Sequence, residues 1–396
     1  MKQPLSLLLL AILWLLVPGI AGAQSDAFQA ETAATYTFGQ TMHFSLHAKS
    51  GPAIEEAVLF FNTPEMENTY VVEMAIDPER ELMLEHDVDL TQLQLAPFTT
   101  VTYWWRLGTE ASTFTLPQQT IEYVDDRLDW EQLSGNGISV FWAEGDVSLG
   151  QTALDVVGEV RPRLEAVIPG ADVAEARIFI YPSEAYLQSA LRLTGRDWVG
   201  AHAQPELGVI LAKAVNPRTA AFDLGREVPH ELVHLMLYDA TGVNYANVPR
   251  WFEEGLATSF EMSPDPSYDL ILQEAIAAQE TIPFTQLCEV FPAEEMRARL
   301  AYAQSYSLIR FIQTEYGNRA LSEMVRLFGD GADCYSGVRR ALGMTLGELE
   351  DVWLERKQPL SPLANFWQHN GLWVVLLGGG FALTALLLLP LRNRDE

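Results

Sequence analysis

Between Thr35 and Tyr123 apolar and polar residues alternate in short runs. Met42, Phe44 and Leu46 interleave with His43, Ser45 and His47, and Val101, Tyr103, Trp105 and Leu107 with Thr102, Trp104 and Arg106. A period of two marks strands with one buried face, and Gly51-Pro52, Asn62-Thr63-Pro64 and Gly108-Thr109 punctuate them as turns. About one hundred residues of this kind fit an immunoglobulin-like or fibronectin-like β-sandwich, placed at residues 24–125. His43 and His47 fall on its solvent face, and the sequence offers them no third metal ligand nearby.

After Asp125-Asp126 the period changes. Ile138 to Trp142 reads as a strand leading to a helix near 150–167, and Ala176 to Tyr181 as another strand leading to a helix. Pro205 to Lys213, centred on Leu207 to Leu211, reads as a further strand. Beyond Met262 the pattern is helical, including 293–316, 318–327 and 346–356. The fold class expected for 126–357 is α+β, and no internal repeat interrupts it.

Both ends of the chain are apolar. Met1 to Ala23 has one early Lys2, an apolar run from Leu5 to Val17 and Ala21-Gly22-Ala23 as a cleavage site, and so reads as a secretory signal peptide. Leu372 to Leu391 has the length and apolarity of a membrane helix, with Trp367 and Trp373 suited to the outer interface and Arg392 and Arg394 to the cytoplasmic side. Residues 358–371, with Pro359 and Pro362, then form a stiff linker, and 392–396 a short cytoplasmic tail. The expectation is a single-pass protein of the cell membrane with 24–357 outside the cell.

The charge balance, 53 Asp and Glu against 25 Lys and Arg for a net −28, excludes nucleic acid and anionic lipid surfaces as default partners. The two cysteines, Cys288 and Cys334, fall in the exported part, where a disulfide is permitted, and neither has metal-ligand spacing.

The chemistry is concentrated in His230-Glu231-Leu232-Val233-His234. Residues four apart share one face of a helix, so both imidazoles can meet one metal ion while the carboxylate between them reaches its open side. Pro229 suits the first turn of that helix, and Thr241-Gly242 ends it. A second helix is expected from Arg250 to Met262, with Asn247 as its N-cap. A loop of about ten residues between the two can bring Glu253 or Glu254 over the imidazole pair.

His-Glu-x-x-His followed by Trp251-Phe252-Glu253-Glu254-Gly255-Leu256-Ala257 resembles the gluzincin zinc metallopeptidases, most closely the peptidase MA-like domains. The resemblance implies one Zn2+ held by His230, His234 and Glu254, with Glu231 as catalytic base and then acid, and a polypeptide substrate. Glu253 takes a position that the pattern leaves variable and reads as a solvated charge at a helix start. The resemblance also implies that Val209 to Leu211 form a sheet edge that pairs with substrate, a role that competes with an ordinary core strand. An oxyanion donor is needed as well, and Tyr302, Tyr306 and His202 are candidates. The spacing excludes metzincins, because Leu237 and Ala240 stand where a glycine and a histidine are required. No Gly-x-Met-Glu-Asn run precedes His230, which favours an endopeptidase over an aminopeptidase. Two other functions fit the same residues: a non-catalytic cell-surface binding protein on a peptidase fold, and a hydrolase of non-peptide amides or esters.

Overall fold

The computed structural model describes residues 29–77 except 51–52, 82–191 except 172 and 174, 201–357 except 217, and 366 and 370–379. The expected signal peptide and cytoplasmic tail lie outside the described residues, as do most of the linker and residues 380–391 of the expected membrane helix. Residues 370–379 are helical and expose Leu372, Trp373, Val375, Leu376 and Leu377. Among the described residues, no helix is long and apolar enough to cross a membrane. Internal contacts divide the chain after Arg127 into two compact units.

The first unit is built from β1 (Gln29–Thr37), β2 (Thr41–Ser50), β3 (Glu56–Asn62), β4 (Tyr70–Met74), β5 (Met83–Asp89), β6 (Thr99–Gly108), β7 (Thr113–Thr115) and β8 (Gln119–Tyr123). One antiparallel sheet has the order β1-β2-β5, the other β4-β3-β6-β7, with β8 paired to β6. The period of two survives folding: Met42, Phe44, Leu46, Val101, Tyr103, Trp105 and Leu107 are all buried. Phe44 stacks on Phe61 at 5.1 Å and meets Tyr103 at 5.3 Å, so the inner faces of the two sheets share one core. On the outer side, His43 Nδ1 lies 2.7 Å from Asp87, its partner across β5.

The second unit opens with β9 (Glu131–Gly135), β10 (Ile138–Trp142), α1 (Val147–Glu165), β11 (Arg177–Tyr181), α2 (Glu184–Leu191), β12 (His202–Gln204) and β13 (Val209–Lys213). It continues with α3 (Ala220–Thr241), α4 (Arg250–Phe260), α5 (Tyr268–Ala278), α6 (Glu295–Tyr316), α7 (Asn318–Gly329), α8 (Cys334–Leu342) and α9 (Leu346–Lys357). The sheet order is β12-β13-β11-β10-β9, with β10, β11 and β13 parallel and the outer strands β9 and β12 antiparallel to their neighbours. Strands covered on both faces carry unbroken apolar runs, and Val209, Ile210, Leu211 and Ala212 are all buried.

This topology overturns the substrate-pairing edge expected at Val209 to Leu211. Those residues already bond to β11 on one side and to β12 on the other, so no backbone groups remain for a peptide. Among the described residues, β12 is the outer strand on this side of the sheet. The expected continuous strand is also interrupted by a 3-10 turn at Pro205–Leu207 and by Gly208, whose φ of 61° suits glycine.

The helix that carries His230 and His234 is longer than expected. α3 starts at Ala220, so Pro229 sits in its interior rather than in its first turn. Proline has no N–H for the carbonyl four residues earlier. Here Gly225, the carbonyl concerned, accepts instead from the backbone N–H of Met262 at 2.9 Å. The gap in the helix ladder thus pins the segment that follows α4, next to Glu261.

Candidate metal centre

His230 and His234 lie one turn apart on α3, with ring centroids 5.2 Å apart. The chain leaves α3 at Gly242, makes a 3-10 segment over Gly242–Asn247 and enters α4 through Pro249, which takes the capping position expected of Asn247. α4 then presents Glu254 to the imidazoles. A Cβ on Gly255 would stand 2.5 Å from the Ser305 carbonyl oxygen, so only glycine lets α4 approach α6 this closely. The glycine after Glu254 therefore sets the depth at which the carboxylate sits.

His230, His234 and Glu254 each offer one ligand atom, and these atoms all lie within 4.8 Å of one another. Glu254 Oε2 is 3.4 Å from His230 Nε2 and 3.8 Å from His234 Nε2. It is buried and makes no hydrogen bond. A carboxylate oxygen kept dry and unbonded costs several kcal/mol unless a cation meets it, so the donor set fits a metal ion. Glu231 lines the same cleft and is buried to 8 % exposure.

Behind the ligands stands a layer that the sequence reading missed. Glu253, expected to be a solvated charge, is only 3 % exposed. Its Oε1 lies 2.8 Å from His234 Nδ1 and accepts from the Tyr245 hydroxyl, while its Oε2 accepts from Arg250 at 2.5 Å. Glu261 does the same for the other imidazole, with Oε1 3.0 Å from His230 Nδ1 and Arg226 Nε 3.3 Å from Oε2. A carboxylate on each Nδ1 leaves both Nε2 atoms for the metal, fixes the ring orientation and raises ligand basicity. Glu253 had a local signal in Arg250 three residues before it. Glu261 had none, because it reaches His230 through the Gly225–Met262 bond.

Charge in the cluster follows from these contacts. Burial opposes a proton on His230, but Glu254 and Glu261 outweigh it and hold the imidazole pKa well above its usual value. Burial likewise opposes a proton on His234, but Glu253 and Glu254 outweigh it and raise its pKa. Burial works to raise the two carboxyls, yet His234 and Arg250 keep Glu253, and His230, His234 and Arg250 keep Glu254, below the carboxylate range. Positive charge is thus favoured where the three ligands converge.

The cleft has a volume of about 750 Å³ and runs from β12 past α3 and α4 to α6. Of the oxyanion candidates, Tyr302 and His202 line it, and Tyr302 has its ring 6.4 Å from that of His230. Both tyrosines pack against the hydrophobic core, but Tyr306 is not part of the cleft lining. Tyr302 keeps its proton far into alkaline pH, because burial and the charge of Glu254 push its pKa up. Cys288 and Cys334 form a disulfide.

Residues 163–357 match the family model of the Peptidase MA superfamily, from within α1 to the end of α9, and all the residues of the centre fall inside that span. No curated protein matches the chain.

Proposed function

We propose, from the premise that residues 163–357 of this chain are a Peptidase MA superfamily domain, that the protein is an exported, membrane-anchored zinc endopeptidase. The observation that carries the metal reading is the orphan Glu254 Oε2, buried opposite two Nε2 atoms whose Nδ1 partners are already in place. Two imidazole nitrogens and one carboxylate oxygen are the donor set of a catalytic zinc site with a free position. A zinc ion bound there supplies Lewis acidity, which lowers the pKa of water to about 7 and polarises a carbonyl.

The chain's own residues do the rest. Glu231 takes the proton of the attacking water and returns it to the leaving amine. Tyr302 or His202, both on the cleft wall, donates a hydrogen bond to the oxygen that gains charge. Among the described residues β12 is the outer strand beside the cleft, and an extended peptide laid along it would gain main-chain hydrogen bonds with little demand on sequence. Export is supported by the apolar N-terminus and the Cys288–Cys334 disulfide, which belongs to oxidising compartments, and anchoring by the apolar run 372–391. Two antiparallel sheets with a shared core support an immunoglobulin-like or fibronectin-like sandwich for the first unit.

The test is hydrolysis of an unstructured protein by the purified full-length chain, wild type against Glu231→Gln, at equal zinc occupancy. Cleavage by the wild type and a loss of roughly 100-fold or more in the variant are expected. Full zinc binding with no cleavage by either protein would replace this reading with a binding protein or a non-peptide hydrolase.

A further inference from the structure

Arg250 occupies an unusual place in the centre. Its Nη1 lies 2.5 Å from Glu253 Oε2 and its Nη2 2.6 Å from Glu254 Oε1, so each arm of the guanidinium holds one of two adjacent carboxylates. The grip is selective. On Glu254 it takes Oε1 and leaves Oε2 unbonded toward His230 and His234. On Glu253 it takes Oε2 and leaves Oε1 for His234 Nδ1 and the Tyr245 hydroxyl.

The fork is itself anchored. The Arg250 backbone N–H donates to the Cys288 carbonyl at 2.9 Å, and the next residue, Trp251, donates through its indole Nε1 to Cys334 Sγ at 3.4 Å. The two disulfide-bonded residues therefore hold the first turn of α4 in place. Burial disfavours the guanidinium charge, but Glu254 and Glu253 more than offset it and raise its pKa.

We propose that Arg250 is a positioning residue of the metal centre: it occupies one oxygen of Glu254, so that this carboxylate offers a metal a single oxygen, and it holds Glu253 behind His234. This rests on the metal-site reading above. With both oxygens free, a carboxylate can take a metal two-handed and fill the position that catalysis needs open. A planar fork meets two carboxylates at once, and a lysine ammonium, a point charge on a flexible stem, does not reproduce it. Replacement by lysine therefore separates geometry from charge.

The experiment loads the full-length protein with Co2+ and compares wild type, Arg250→Lys and Arg250→Met. Four-coordinate cobalt absorbs visible light several-fold more strongly than five- or six-coordinate cobalt, so the spectrum reports ligand number directly. The wild type is expected to bind one cobalt with the intense spectrum. Both variants are expected to lose that intensity and to bind the metal roughly 10- to 100-fold more weakly in chelator competition, the range seen for partners of ligands. Arg250→Lys with the wild-type spectrum and affinity would overturn the proposal, whatever Arg250→Met does, because charge alone would then suffice. A wild type that binds no cobalt would bring down the metal-site reading and this proposal with it. Circular dichroism of the metal-free variants separates misfolding from misplacement, and Arg250→Lys carries the test if Arg250→Met does not fold.

Discussion

His43 with Asp87 in the first unit and His234 with Glu253 in the second are nearly the same pair, an imidazole Nδ1 at 2.7 Å and 2.8 Å from a carboxylate oxygen. Their surroundings differ. The first pair has side chains 36 % and 69 % exposed, the second 10 % and 4 %. On the strand, water screens the pair and competes for every donor, so the interaction is worth little. On α3 the pair is dry, its spare carboxylate oxygen is held by Arg250, and the free Nε2 faces a second imidazole and Glu254. A histidine–carboxylate contact becomes part of a site through convergence and burial, since the contact itself is common to both pairs.

The largest break in the contrast should come from Glu254→Ala, which removes a ligand. Metal affinity is expected to fall by more than about 100-fold, beyond what loss of a partner behind the ligands produces, and calorimetric titration checks it. Next, Cys288→Ala with Cys334→Ala removes the disulfide, of sequence separation 46, that anchors the start of α4. A loss of roughly 2–4 kcal/mol is expected from urea denaturation, together with weaker metal binding. An unchanged metal affinity would show that α4 needs no such anchor.

Glu253→Ala should weaken metal binding about 10- to 100-fold and leave His234 free to turn. The matching change on the strand, His43→Ala, should move stability by less than about 0.5 kcal/mol and leave activity alone. A large effect there would erase the distinction between the two pairs.

A separate effect concerns pH. Burial raises the Glu227 carboxyl from 4.5 to about 8, with Lys213 opposing and Glu231 and Asp223 adding. Between those values the folded chain holds a proton that the unfolded chain has released, so this group's contribution to stability falls as pH rises through the window and is level above it. In metal-free protein, Glu227→Gln should flatten that decline in urea midpoints taken from about pH 5 to about pH 9. A wild type whose midpoint does not fall across that range would contradict the assignment.

How much of this was legible depends on whether the information is local. The alternation at Met42 to His47 and at Val101 to Leu107 could be read directly, because strand period and burial are properties of neighbouring residues. The grouping of His230, Glu231 and His234 on one helix face was legible for the same reason. Glu254 could be approached only through the resemblance, since a loop and Gly255 intervene between it and the imidazoles.

Other features were settled in three dimensions. Whether Val209 to Leu211 form an edge depends on where β12 lies, and an apolar run is the same in an edge strand and a covered one. Glu253 departs from expectation because a charge at a helix start is usually solvated, whereas the packing of α4 against α3 turns this one inward. Glu261 stands far from His230 in the chain and meets it because Pro229 frees a carbonyl that Met262 then takes. By itself the sequence determined which residues could share a helix face or a strand face, since backbone geometry repeats over a few residues. The tertiary structure alone decided which carboxylates stand behind which imidazoles and which strands pair with β13, because those follow from contacts between segments whose spacing in the chain carries no such period.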